Sequence, residues 1–167
     1  NIGGWDTSAV TDMHRMFYRN SAGMTFNNGG SPSISGWNTS NVTTMREMFD
    51  GCPNFNQPIG SWDTSNVTNM LEMLYRASSF NQPVGNWDTS KVTNMQRVFS
   101  QASSFEQDVS NWNVSGVTYM NGMFNGCTSF SNNGQSGIGN WDTSSCTNMQ
   151  GMFNATLFNQ PIGSWDT

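Results

Sequence analysis

Hydrophobic positions along the chain follow one pattern that returns about every 25 residues. Within residues 65–77, the apolar side chains have the three- and four-residue spacing of one face of a helix. They are Val67, Met70, Met73, Leu74 and Ala77. Residues 63–65 just before them are Asp, Thr and Ser, which are common N-cap residues. The pattern therefore predicts a short helix of about three turns, which would need packing against its neighbours to be stable.

The second half of the pattern lacks helical spacing and predicts extended chain. Pro58 and Gly60 interrupt residues 53–62, and both residue types are typical of turns. We expect a short strand over residues 59–62, with Ile59 and Trp62 pointing inward. Equivalent strands would pair in parallel at about 4.8 Å per unit.

Tryptophan marks the repeat along the whole chain. The seven tryptophans are Trp5, Trp37, Trp62, Trp87, Trp112, Trp141 and Trp165. They define six units, at 5–36, 37–61, 62–86, 87–111, 112–140 and 141–164, with partial units at both ends. A fixed period of this length is the signature of a solenoid, in which each unit buries its apolar face against the next. We expect one α/β repeat domain of about six coils, and the equal phase of the two ends suggests a segment of a longer array.

Composition excludes several classes of function. Six basic residues against 11 acidic residues give a net charge of −5. The basic residues are dispersed along the sequence, so we expect no nucleic-acid binding, which needs clustered cations. No apolar run approaches the roughly 20 residues of a membrane span, so we expect no membrane insertion by this segment. The composition agrees with an extracellular or cell-surface location.

Residues that could support catalysis or metal binding are sparse. His14 is the only histidine, and Cys52, Cys127 and Cys146 occupy core positions without metal-site spacing. An acidic or amide residue follows each tryptophan: Asp6, Asn38, Asp63, Asp88, Asn113, Asp142 and Asp166. A calcium ladder is conceivable there, but helix capping is the favoured interpretation. We expect no enzymatic activity, no cofactor and no metal.

The phrase VTNMxxMFxxCxxF carries a family resemblance. It occurs as VTTMREMFDGCPNF at residues 42–55 and as VTYMNGMFNGCTSF at residues 117–130. The chain resembles the BspA-like leucine-rich-repeat surface proteins, in the variant with WDTSNVTNM repeats found in mycoplasmal-type surface lipoproteins. The resemblance implies a leucine-rich-repeat-like solenoid at the cell surface, with a role in adhesion and no enzymatic activity.

Two inserted segments suggest where a partner would bind. Residues 26–34 and 130–138 each carry four extra residues at the same phase of the repeat. Segments rich in Asn, Gly and Ser belong on the surface, and we expect them to flank a binding patch, although tolerated insertions without a role are the simpler alternative. The candidate partner-binding residues are Asn27, Asn28, Ser31, Asn132, Asn133 and Gln135, with Tyr18, Tyr75 and Tyr119 on the expected helical face.

Two function classes remain open from the sequence. The first is an adhesion or ligand-binding module whose partner is a protein or glycan on another cell or in the matrix. The second is a structural subunit of a fibre, sheath or surface layer, whose partners are neighbouring copies of itself. Asn41 and Asn66 lie in glycosylation sequons at expected exposed positions.

Overall fold

The computed structural model describes residues 2–18, 26–30 and 32–165. Its six units stack on one another, and each unit is joined to the next by a single parallel bridge. The bridges are Asp12 to Thr44, Thr44 to Asn69, Asn69 to Asn94, Asn94 to Tyr119 and Tyr119 to Asn148. Regular secondary structure in these ranges is limited to three 3-10 helices, at Asn28–Gly30, Pro32–Gly36 and Ser136–Asn140.

The predicted helix over residues 65–77 is wrong. Alternate N–H groups of this segment donate to the next unit: Met70 to the Asn94 carbonyl at 3.0 Å and Glu72 to the Gln96 carbonyl at 2.9 Å. These N–H groups are therefore not available for bonds within a helix. In addition, Glu72 and Arg76 have φ of 54° and 60°, in the left-handed region that right-handed helices exclude.

The predicted strand over residues 59–62 is also wrong, because those residues form an irregular turn and not a ladder. Units do pair in parallel as expected, but they pair at Thr44 and its equivalents, inside the segment predicted to be helical. The expected α/β fold, with a strand and a helix in each coil of a leucine-rich-repeat-like solenoid, is corrected to a stack of turns linked by main-chain hydrogen bonds between units.

Main-chain hydrogen bonds between units run mostly in one direction. Between the second and third units, four N–H groups donate forward along the stack, and two from the third unit donate back. The forward donors are Met45, Glu47, Phe49 and Gly51, and the backward donors are Thr68 and Ser79. The same arrangement recurs between the third and fourth units.

The core is a set of columns in which like residues stack on like residues. Met45, Met70, Met95 and Met120 are fully buried, whereas Met149 at the same repeat position is only partly buried. The Trp37 and Trp62 rings lie parallel with their centroids 6.1 Å apart. Cys52 and Cys127 are buried, as the sequence predicted, whereas Cys146 is only partly buried.

The WDT sequence at residues 62–64 makes hydrogen bonds both within its own turn and to the next unit. Asp63 Oδ1 accepts the Ser65 N–H at 3.0 Å, closing a turn of the chain. The buried Thr64 hydroxyl donates to the Asp88 carbonyl of the next unit at 2.9 Å. In the described part of the chain, the residue after each tryptophan from Trp5 to Trp141 closes a turn in this way and does not cap a helix. Hydrogen bonds from the Ser65 hydroxyl and N–H lower the pKa of Asp63.

Candidate functional site

The two inserted segments are more deeply packed than the sequence predicted. Asn28 is buried and its Oδ1 accepts the Ile2 N–H at 2.9 Å. Asn132 is fully buried, and its Oδ1 accepts the Val109 N–H at 2.9 Å. Its Nδ2 donates to the Gln135 carbonyl at 2.7 Å and to the Ser110 hydroxyl at 3.0 Å. Both side chains fix the insertions to the stack and are buried, and therefore do not lie on the surface where partner-binding residues were expected.

The other insertion residues divide by exposure. Asn27 is half-buried, and its Oδ1 accepts hydrogen bonds from the Asn56 N–H at 3.1 Å and the Gln57 amide at 2.8 Å. Asn133 and Gln135 are exposed. Ser31 lies outside the described residues. Only part of the predicted patch is therefore available on the surface.

Replacing Asn132 with alanine is expected to destabilise the chain more than replacing Asn133. Both asparagines have positive φ, 61° and 51°, which asparagine adopts more readily than alanine. The backbone cost of an alanine substitution is therefore the same at each site. Asn132→Ala also leaves the buried Val109 N–H without an acceptor, which is expected to lower the free energy of unfolding by about 1 to 3 kcal/mol. Urea denaturation of the two variants measures this difference, and equal losses would contradict a structural role for the Asn132 side chain.

The three candidate tyrosines lie on two different columns. Tyr18 and Tyr75 occupy the same repeat position and are half-buried, each beneath an arginine. The Arg15 guanidinium lies 4.9 Å from the Tyr18 ring centroid, and that of Arg76 lies 4.5 Å from the Tyr75 ring centroid. Tyr119 is 45% exposed but lies in the column of bridge residues. The structure thus brings Tyr18 and Tyr75 to one surface and separates Tyr119 from them.

Charged side chains from four consecutive units surround Tyr18 and Tyr75. Arg15 Nε lies 2.5 Å from Glu47 Oε2, and Arg46 Nε lies 2.7 Å from Glu47 Oε1. Arg97 Nη1 lies 3.1 Å from Glu72 Oε1. His14 Nε2 is 4.0 Å from Glu47. The carboxylates are thus held beneath arginine side chains.

The carboxylates of Glu47, Asp50 and Glu72 lie within 4.8 Å of one another. We call these three residues the acidic floor. Burial, together with the charges of Glu72 and Glu47, raises the pKa of Asp50 to about 6, while Arg76 and Arg15 act in the opposite direction. Both oxygens of Glu47 already accept hydrogen bonds from arginine. The acidic floor is therefore neutralised largely by guanidinium groups.

The raised pKa of Asp50 predicts how stability depends on pH. Because the folded state binds a proton at Asp50 more tightly than the unfolded state does, protonation of Asp50 adds to the free energy of unfolding. This added stability is fully present below about pH 4 and is lost as pH rises through about 6. Asp50→Asn is therefore expected to raise the free energy of unfolding at pH 7.5 by on the order of 1 kcal/mol, after allowance for solvent screening. At pH 4 it should have little effect.

Denaturation at both pH values tests this expectation, with Asp63→Asn as the control. The pKa of Asp63 is lowered by its hydrogen bonds to Ser65, so its substitution should not stabilise the chain at pH 7.5. If Asp50→Asn destabilised the chain at pH 7.5, the carboxylate would be making a favourable interaction, contrary to the prediction.

The sequence indicated one column of this cluster but not the cluster as a whole. Arg15, Glu47, Glu72 and Arg97 share one repeat position. Asp50 and Arg76 occupy other positions, and the expected helix would have placed them differently. The shared repeat position therefore indicated a column of charge pairs, expected to be exposed, but not the burial of the Glu47 side chain, which is 4% exposed.

The two candidate glycosylation sites are exposed, as expected, but their side-chain nitrogens are engaged. Asn41 Nδ2 donates to the Ser8 carbonyl at 2.8 Å, and Asn66 Nδ2 donates to the Ser40 carbonyl at 2.8 Å. Lys91 Nζ also donates to Asn66 Oδ1 at 2.7 Å. Glycosylation at either site stays a prediction.

Comparison with known proteins returns one family. Its model, described as "Mycoplasma protein of unknown function, DUF285", matches residues 1–88, 22–136 and 110–167. No curated protein and no solved structure matches the chain. Among the described residues, no helix is long and apolar enough to cross a membrane.

Proposed function

From the premise that this chain belongs to the DUF285 family, we propose that it is a non-enzymatic, extracellular or cell-surface module for adhesion or ligand binding. The observation that carries the proposal is the gathering of exposed arginine side chains from four consecutive units on one surface, with half-buried Tyr18 and Tyr75 beneath two of them. A stack is well suited to gathering such side chains, because each unit packs directly against its neighbours. The resemblance of the repeats to BspA-like surface proteins supports the same role.

The surface chemistry also favours binding over catalysis. The acidic floor lies under arginines that donate hydrogen bonds to Glu47 and Glu72. Cys127 is buried, and burial raises the pKa of its thiol to about 12, which makes it a poor nucleophile. These residues suit recognition of a ligand.

The experiment is direct binding of the purified chain to cells and to immobilised matrix components. Saturable binding by a monomeric chain is the expected result, with monomer state checked by sedimentation velocity. Absence of binding to any cell or matrix surface would contradict an adhesive role.

The second candidate is a structural subunit of a fibre, sheath or surface layer, with neighbouring copies as partners. It is favoured by the repeated interface, in which every unit uses the same hydrogen bonds to hold the next. Sedimentation velocity over a range of concentrations distinguishes the two candidates. Large assemblies that form without any binding to cells would favour the structural role.

A further inference from the structure

Four arginines from four consecutive units lie on one surface of a chain whose net charge is −5. We call this surface the arginine face and define it by Arg15, Arg46, Arg76 and Arg97. Arg15 and Arg46 share the Glu47 carboxylate, and Arg97 bonds Glu72. Arg76 acts electrostatically on Asp50, which lies between the two glutamates. Arg15 and Arg97 share one repeat position, whereas Arg46 and Arg76 come from two others, so the four guanidinium groups form a cluster across four units.

The arginines lie above the acidic floor. The Glu47 side chain is 4% exposed and that of Glu72 is 18% exposed, whereas those of Arg15 and Arg97 are 50% and 48% exposed. A ligand approaching this surface therefore meets guanidinium groups first, although the carboxylates beneath reduce the net charge. The face is cationic only at its outer edge.

Anchoring through Nε leaves the outer nitrogens of the guanidinium groups available. Arg15 and Arg46 donate from Nε to Glu47, and Arg76 donates from Nε to Gln101 at 3.3 Å. The described hydrogen bonds of these three residues leave both Nη atoms of each free to donate outward. A guanidinium fixed in this way pairs well with a planar carboxylate or with a sulfate, because it can donate two parallel hydrogen bonds.

The backbone provides an independent indication that these side chains have a role. Arg15, Glu47, Glu72 and Arg97 all have φ between 52° and 54°, a region that glycine favours. The fifth and sixth units have glycine at this repeat position, Gly122 and Gly151. The first four units therefore carry charged side chains where the backbone conformation favours glycine, and such outliers are typical of functional sites.

We propose that the arginine face binds an anionic polysaccharide through its carboxylate or sulfate groups. The proposal rests on the proposed binding function and names its ligand class. A polymer that carries many anionic groups can engage several of these arginines at once, which raises its overall affinity above that of a single contact. Arginine clusters also bind acidic peptide motifs, but a peptide is disfavoured here because protein interfaces rely in addition on buried aromatic and apolar anchors. The large exposed apolar side chains among the described residues, Trp5, Tyr119, Leu157 and Ile162, do not belong to this face.

The test is binding of the 167-residue chain to heparin, a sulfated polysaccharide, and to polygalacturonate, a carboxylated one. Dextran provides an uncharged control and poly-glutamate represents an acidic peptide. Binding to both anionic polysaccharides is expected, weakening as salt rises because the contacts are electrostatic. No binding to either at 50 mM NaCl would overturn the proposal, as would equal binding to dextran. Equal arginine-dependent binding to poly-glutamate would assign the face to acidic peptides.

The sharpest comparison is between Arg76→Gln and Lys91→Gln. Both remove one positive charge from an exposed residue, so any effect of net charge is the same. Lys91 lies in the column of Asn66 and not on the arginine face. Arg76→Gln is expected to weaken binding about threefold, the effect of one exposed charge pair, while Lys91→Gln should leave it unchanged. Equal effects would show that only net charge matters and would overturn the proposal.

The double variant Arg46→Gln/Arg76→Gln is expected to weaken heparin binding about tenfold. It keeps Arg15 on Glu47 and Arg97 on Glu72, so neither glutamate loses its last arginine. Near-ultraviolet circular dichroism of the stacked tryptophans checks that the fold is intact. Unchanged affinity in a folded double variant would refute the proposal.

Cell binding separates failure of this inference from failure of the proposed function. If the double variant binds cells as well as the original chain does, adhesion stands and the arginine face is not the site. If the chain binds heparin through these arginines but binds no cell or matrix, the anion site stands and adhesion fails.

Discussion

Replacing Met95 with alanine is expected to lower the free energy of unfolding by about 2 to 5 kcal/mol. Met95 is fully buried in the methionine column between Met70 and Met120. Its N–H donates to the Tyr119 carbonyl at 2.9 Å, and its carbonyl accepts the Val98 N–H at 3.4 Å. Because the main chain is tied both to the next unit and within its own, it has little freedom to close the cavity. Urea denaturation followed by tryptophan fluorescence measures the loss.

The matched control is Met149→Ala. Met149 has the same repeat position in the sixth unit but is only partly buried. Its truncation removes less apolar surface from the core, so we expect a loss well below that of Met95→Ala. Equal losses at the two positions would contradict the interpretation that burial in the column determines the effect.

Replacing Gly60 with alanine is the second change expected to be severe. A Cβ atom at Gly60 would overlap the carbonyl oxygen of Pro83 in the next unit. At the equivalent Gly85, a Cβ would lie 2.6 Å from the Asp108 carbonyl oxygen, so the close approach is a property of the repeat. Backbone atoms on both sides must move apart, and we expect a loss of about 3 kcal/mol, the upper end for overpacking.

Gly163→Ala provides the control for this prediction. Gly163 occupies the same repeat position as Gly60, but a Cβ there would meet no atom within 4 Å. Thermal unfolding of both variants is expected to show a large fall in Tm for Gly60→Ala and little change for Gly163→Ala. Similar falls in Tm would indicate that alanine is disfavoured by the local backbone conformation at both positions. The close contact between units would then not be the cause of the destabilisation.

The sequence predicted which residues are buried better than it predicted their secondary structure. The five apolar positions from Val67 to Ala77 are all buried, and so are Ile59 and Trp62. This success follows from the repeat, because a position that is apolar in every unit has apolar residues above and below it to pack against. Local conformation was not needed for that inference.

The prediction of a helix was wrong for a physical reason that the spacing of apolar residues within one segment does not reveal. Apolar residues three and four apart are typical of helices, but here successive tight turns give the same spacing. Met73 N–H donates to the Met70 carbonyl at 3.1 Å, three residues back, while Met70 N–H donates to Asn94 in the next unit. The choice between the two structures depends on hydrogen bonds to a neighbouring unit, which a single window of sequence does not show.

The candidate site was predictable only in part. Tyr18, Tyr75 and Tyr119 were identified as one expected helical face, and the structure places only Tyr18 and Tyr75 together, beneath arginines. Asn132 was misassigned because Asn-rich insertions usually lie on the surface, whereas its side chain caps the buried Val109 N–H. The acidic floor combines residues from two repeat positions, and its geometry follows from the left-handed conformations at Glu47 and Glu72.

The direction of the hydrogen bonds between units has an electrical consequence. Each peptide group carries a dipole of about 3.5 D along its N–H and C=O bonds. At the interface of the second and third units, four main-chain N–H groups point towards higher residue numbers and two point back, so the dipoles do not cancel. Because the arrangement recurs at the next interface, the contributions add along the axis, with the positive direction towards later units. In this respect the stack is opposite to an α-helix, whose positive end lies at its N-terminus.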